Sequence, residues 1–396
     1  MTMLSSGFEL SVDVLRQRQN VKWGKYGADV LPAWVAEMDF AVAHPIQRTM
    51  ERMVADHDYG YPNRGGNHGD GTLVEAFSNR MKSRFGWEVD PSLILPLSDL
   101  VQGTFSTILA LSDPGDGVIL QLPAYPPFHE AINSTGRRLL AHRLHPTEDG
   151  WRHEPGSLAK LVDATTKIIL LCNPQNPTGR VFEQAELEEI GRVAIERDLV
   201  ILSDEIHADL IYGGAKHIPI ATLSPEIAAR TITITSATKG FNIPGLRCGV
   251  LYFGSAELKA RFHARFPARV LGSPGITGID TTVAAWNHGQ DWLEAVLEQL
   301  DANRHRMVNF INAELPAIRT SLPEATYLGW LDCSRLGLSG TAHDFFLEHA
   351  KIGFSAGEAF DPNGHQFVRF NFATSGRILD QILGRMADAV RSNARG

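Results

Sequence analysis

The chain has 396 residues, 43% apolar and 21% charged, which excludes disorder and is enough for a large core without disulfide or metal staples. Its formal charge of −8 leaves no basic footprint for nucleic acid or anionic lipid. Cys172, Cys248 and Cys333 are too few and too far apart for a disulfide framework or a CxxC metal site, so a reducing compartment is expected and no metal is.

The N-terminal stretch MTMLSSGFELSVDVLRQRQN lacks an apolar run behind a basic start, so no secretory signal is expected. No window approaches the roughly 20 apolar residues of a membrane helix. A cytoplasmic protein without membrane or nucleic-acid partners is the expectation.

Along the chain, strands and helices alternate through the middle. Val118–Leu122 is a short apolar run behind the turn Asp113-Pro114-Gly115-Asp116-Gly117. Lys167–Cys172 is a continuous apolar run ending at Asn173-Pro174. Residues 183–197 carry Leu187, Ile190 and Ala194 on one helical face. Leu199–Leu202 and Thr231–Thr235 follow as further strands, ending in Ser203-Asp204-Glu205 and Ser236. Runs apolar on both faces and separated by a helix predict a parallel sheet buried under helices, with right-handed crossovers.

The last third changes character. Asp291 to Leu315 reads as one long amphipathic helix. Short strands at 326–332 and 367–372 and a closing helix at 378–391 follow. The expected organisation is a large α/β domain, residues 46–290, and a smaller α+β domain built from residues 1–45 and 291–396.

Open α/β sheets bind ligands beyond the carboxyl ends of their strands. Here those ends carry Asn173-Pro174-Gln175-Asn176-Pro177-Thr178-Gly179, then Asp204-Glu205-Ile206-His207, then Ser236-Ala237-Thr238-Lys239-Gly240-Phe241-Asn242. An amide, a carboxylate and an amine converge on one crevice. A carboxylate beside a buried run is costly without a partner, though Asp204 could equally cap a neighbouring helix. A lysine just past a buried strand is a candidate for a depressed pKa and Schiff-base chemistry, against the bland reading of a solvated turn. Pyridoxal phosphate chemistry needs that lysine together with an aspartate facing the pyridinium nitrogen. Ser236, Thr238, Arg247 and the backbone N–H groups of Leu100–Thr104, a segment expected to precede an apolar helical stretch, could receive its phosphate. No Walker A, GxGxxG, GxSxG or HExxH pattern is present.

NPQNPTG, SDEIH and SATKGFNIPGLRCG resemble the fold type I pyridoxal phosphate enzymes of aminotransferase class I/II. LPAWVAEMDF at 31–40, Tyr59-Gly60-Tyr61-Pro62 and Asp204-Glu205-Ile206-His207 are similar to the MalY/PatB group of cystathionine β-lyases, or carbon–sulfur lyases. The resemblance spans about residues 20–390 in order. It implies a mostly parallel sheet covered by helices, plus a smaller α+β domain.

The resemblance also implies roles. Lys239, Asp204 and Tyr125 form the catalytic set: Lys239 bonds to pyridoxal 5′-phosphate and later takes the Cα proton, Asp204 pairs with the ring nitrogen, and Tyr125 stacks on the ring. Asn176 bonds the 3′-oxygen, and His207 stands where many aminotransferases carry a tyrosine for the same atom. Ser236, Arg247 and the backbone at Val101 and Gln102 hold the phosphate, with Tyr61 reaching it from the partner in a homodimer with shared sites. Arg369 forks onto the α-carboxylate of an amino-acid substrate, with Trp34 and Tyr61 also at the substrate. Arg247 leans toward aminotransferases, because the lyases often carry an uncharged residue there. The implied reaction is β-elimination from L-cystathionine or another L-cysteine S-conjugate. Transamination on the same scaffold is the alternative, and fold alone does not separate the two.

Overall fold

The computed structural model describes residues 7–66, 69–147 and 150–393. Seven strands make the sheet that positions the site: β1 (Ile94–Leu97), β2 (Gly117–Leu122), β3 (Arg138–Arg143), β4 (Thr166–Cys172), β5 (Val200–Asp204), β6 (Thr231–Thr235) and β7 (Gly249–Phe253). Their spatial order is β1-β7-β6-β5-β4-β2-β3. β2 to β6 run parallel, while β7 pairs antiparallel with both β6 and β1.

Burial explains why these runs read as continuously apolar. Side chains alternate between faces along a strand. Leu170 and Leu202 pack with Ile108, Phe128 and Phe262 on one face. Ile169, Leu171 and Ile201 pack with Leu187, Ile190 and Val193 of the helix Gln184–Glu196 on the other. Both faces of β4 and β5 are dry, so these strands show almost no polar alternation.

The predicted long helix is present as Gln290–Glu314 and the closing helix as Gly376–Asn393. A small antiparallel sheet joins Leu328–Asp332, Phe367–Asn371 and Ser355–Ala356. Its first strand begins two residues later than expected. Thr326 stands at φ +67°, a left-handed conformation that a strand cannot include.

Leu31–Pro32 pairs in parallel with Ile352–Gly353, so the N-terminal segment lies against the C-terminal third. The largest apolar cluster runs from Phe8 and Phe40 through Phe241 to Phe372 and Met386. Among the described residues no helix is long and apolar enough to cross a membrane.

Candidate active site

β4, β5 and β6 are adjacent and in register, with Cys172 opposite Asp204 and Asp204 opposite Ile234. The three loops that leave their carboxyl ends therefore open side by side. Ser236 caps the short helix Ala237–Gly240, accepting from the Thr238 N–H at 3.1 Å, and this turn aims Lys239 into the crevice. Lys239, Asp204, Asn176, Tyr125, His207 and Arg369 all line one cavity of about 180 Å³. Val101, Ser236 and Arg247 line the same cavity.

The electrostatics suit an amine, a carboxylate and a guanidinium removed from water. Burial and the Arg369 charge bring Lys239 down to about 8, against the weaker upward pull of Glu37, Asp204 and Asp99. Burial pushes Asp204 up to about 7, and the neighbouring Glu205 charge adds to it. The Ile206 N–H bonded to Oδ1 at 3.0 Å works the other way. Burial lowers His207 to about 3, so its ring is neutral, and Nδ1 has no hydrogen-bond partner. Arg369 is wholly enclosed and lowered to about 10 by burial. Its Nη1 donates to Asn176 Oδ1 at 3.0 Å and its Nη2 to the Trp34 carbonyl at 2.8 Å, while Nε is buried and unpartnered. The Cys172 and Cys248 thiols are raised by burial and stay protonated.

The anion end differs from expectation. Leu100–Thr104 does not precede a helix but opens one, Leu100–Leu111, capped by Asp99. Asp99 Oδ1 accepts from the Val101 N–H at 2.8 Å and the Gln102 N–H at 3.4 Å, the two amides assigned to the phosphate. Its Oδ2 pairs with Arg247 at 2.9 Å. Aspartate is a preferred N-cap, and the helix dipole adds to the attraction. Ser236 Oγ bonds the Cys248 carbonyl. The Gln102 side chain turns away to the Leu271 carbonyl, so only its backbone bears on the site.

Trp34 also corrects the expectation. Its ring packs against Lys25 and Tyr26 and donates to the Lys22 carbonyl, outside the cavity. Its contribution is a backbone oxygen that accepts from Arg369. Val35 and Ala36 line the cavity instead. Tyr61 is fully exposed and does not line the cavity of its own chain. Asp39 is not at the site, being buried in an ion pair with Lys22 and bonded to Trp23.

Sequence reasoning missed Asp99, Tyr327, Asn371 and the Ala36 carbonyl. Lys239 Nζ donates to Ala36 O at 2.8 Å, and Tyr327 OH donates to the same oxygen at 3.0 Å. A backbone carbonyl carries no residue-type signal, so nothing in the sequence marks it.

The residues fit pyridoxal phosphate. The cavity presents an amine with a depressed pKa for its aldehyde and a buried carboxylate lacking a cationic partner for its ring nitrogen. Tyr125 offers a flat face, and a helix N-terminus beside Arg247 offers the anion end. The orphaned Arg369 Nε marks where a carboxylate would dock. Among the described residues no cluster of three or more His, Cys, Asp or Glu could hold a metal ion.

The family model described as aminotransferase class I and II matches residues 35–385. Cystathionine beta-lyase PatB of Bacillus subtilis is 31% identical, covering 94% of this chain and 97% of its own. A cystathionine beta-lyase of Corynebacterium glutamicum is 32% identical, covering 96% and 99%. The crystal structure of cystalysin from Treponema denticola, which contains a pyridoxal 5′-phosphate cofactor, superposes with a TM-score of 0.89 at 27% identity, covering 95% and 97%.

Proposed function

The chain belongs to the aminotransferase class I and II family, and from that premise we propose that it is a pyridoxal phosphate-dependent carbon–sulfur β-lyase. Its substrate is L-cystathionine or a related L-cysteine S-conjugate. One observation carries the reading: an amine of lowered pKa and an enclosed guanidinium with a free Nε face the same small cavity. The lyase names of relatives at 31–32% identity support elimination over transamination.

When bound, the cofactor supplies a ring that withdraws electrons from Cα of an attached amino acid. Arg369 would receive the α-carboxylate at its unpartnered Nε–H, with Nη2 leaving Ser355 Oγ, 3.1 Å away, to complete the fork, and so set which Cα bond faces Lys239. The Lys239 amine removes the Cα proton. A pKa near the working pH suits that task, because the neutral base is populated without losing strength. Asp204 would hold a proton at the cofactor's ring nitrogen, and Asn176, whose carbonyl oxygen already accepts from Arg369, would offer its NH₂ to the 3′-oxygen. As the Cβ–S bond breaks, its electrons leave with sulfur, which takes a proton to become the thiol. The remaining 2-aminoacrylate adds water and yields pyruvate and ammonia.

Residues 46–290 serve as the cofactor domain, with 1–45 and 291–396 forming the cover that carries Arg369. The functional unit is a cytoplasmic homodimer in which Tyr61 of one protomer reaches the phosphate end of its partner's site. The full exposure of this aromatic ring supports that role. Incubation with L-cystathionine tests the reading: pyruvate and thiol in equal amounts are expected. A keto acid with pyridoxamine phosphate would make the protein a transaminase instead.

A further inference from the structure

Residues 34–37 cross the cavity as a strap whose four carbonyls are each held by a side chain. Trp34 O accepts from Arg369 Nη2 and Ser355 Oγ, both at 2.8 Å. Val35 O and Glu37 O both accept from Asn371 Nδ2, at 2.6 and 2.7 Å. Ala36 O, between them, accepts from Lys239 Nζ and Tyr327 OH. Asn242, in the turn just beyond Lys239, bolts the next residues down through Met38 N, Met38 O and Phe40 O.

We propose that Tyr327 is a positioning residue for Lys239, acting through the Ala36 carbonyl oxygen that the two side chains share. The inference rests on the reading of Lys239 as the amine that bonds the cofactor. A carbonyl oxygen has two lone pairs, and here each has one donor. Tyr327 is wholly buried, and burial raises its pKa, so its hydroxyl stays a donor across the working range. With Asn371 pinning the carbonyls on either side, the oxygen cannot swing away to meet Lys239 elsewhere. An amine that gives one N–H to this oxygen has its remaining valences fixed in direction.

Tyr327 also limits how strongly that oxygen holds an ammonium. Its hydroxyl polarises the carbonyl and occupies one of the two lone pairs. Removing it leaves a freer acceptor for Lys239 and favours the charged form. The other groups facing Lys239 are Arg369, Glu37, Asp204 and Asp99, with His207 neutral; Tyr327→Phe leaves all of these side chains in place and keeps the ring that stands edge-on to His207. Tyr327 is not among the cavity-lining residues, so its loss removes no direct contact to substrate.

The test uses the full chain freed of cofactor and trace-labelled with acetic anhydride from pH 6 to 11, the Lys239 peptide being quantified by mass spectrometry. In the parent, Lys239 should label with a midpoint near 8, well below the exposed lysines of the same digest. In Tyr327→Phe the midpoint should rise by about half to one pH unit. With p-aminophenylalanine at position 327, which donates again, it should return toward the parent. In the reloaded Phe variant kcat should fall about tenfold with KM within about twofold. An unmoved midpoint in the Phe variant overturns the inference. If that variant does not fold by circular dichroism, Tyr327→Met, which fills space without donating, is read in the same way. A parent midpoint equal to that of the exposed lysines would instead defeat the reading of Lys239 itself.

Discussion

Arg369 donates from Nη1 to Asn176 Oδ1 at 3.0 Å, a contact between residues 193 positions apart. It ties the group that would fork onto a substrate carboxylate to the amide that would hold the cofactor's 3′-oxygen. It also fixes the amide's orientation, leaving the Asn176 NH₂ as the donor. Arg369→Ala should therefore act twice. KM should rise at least about 100-fold from the lost fork, and the absorbance of bound cofactor should shift as Asn176 loses its anchor. Arg369→Lys should rescue neither, because an ammonium cannot serve Asn176, the Trp34 carbonyl and a carboxylate in one plane. An unchanged KM in the Ala variant would place the carboxylate elsewhere.

Borohydride reduction of the yellow holoprotein should fix the cofactor to the peptide containing Lys239 and to no other. Lys239→Ala should lose this adduct and about 10³-fold or more in turnover, the scale of a missing general base together with a missing covalent anchor. A label on any other lysine would remove Lys239 from its role.

Asp99 sits on the amides that the phosphate would use. Asp99→Asn keeps a competent N-cap while deleting a negative charge and releasing Arg247. Pyridoxal phosphate should then bind about three- to tenfold more tightly by fluorescence titration, the effect of one like charge at a partly exposed site, with a weaker dependence on salt. Weaker binding in this variant would mean that Asp99 organises Arg247 for the phosphate rather than competing with it.

Asp204 gives a pH signature to the protein freed of cofactor. Its folded pKa of about 7 lies above an ordinary carboxylate value, so the folded state binds more protons between about pH 4 and 7. Its favourable contribution is present below the unfolded pKa and is lost as pH rises through 7. Asp204→Asn mimics the protonated form. The variant should melt with the parent near pH 4 and several degrees above it at pH 8, a gap of up to about 4 kcal/mol. Parallel melting curves across that range would mean that Asp204 is not held protonated.

A shared site makes a mixing prediction. Tyr61→Phe and Lys239→Ala chains, each nearly inactive, should recover activity when mixed, because hybrids place both lesions in one site and leave the other native. Ultracentrifugation should give about twice 43.5 kDa. A fully active monomer would end the argument.

The sequence by itself determined the sheet and the order of its strands' contents. β2, β4 and β5 are apolar on nearly every position, a pattern that belongs to buried parallel strands, while β6 alternates threonine with isoleucine. It also marked Asn176, Asp204 and Lys239, since each follows a strand that the apolar pattern locates, while Arg369 was named by the family resemblance of its motifs. Tertiary structure alone decided which polar groups satisfy one another. The Asp99 cap lies in a turn whose helix starts at Leu100 rather than beyond Thr104, a one-turn difference that the apolar pattern does not fix. The strap at 34–37 binds through backbone carbonyls, which every residue possesses, and its partners Lys239, Tyr327, Arg369 and Asn371 lie between 203 and 336 positions away. Side-chain identity says that a donor exists. Only the packed chain says which oxygen it meets, because that depends on the path of two distant backbones and not on the composition of either.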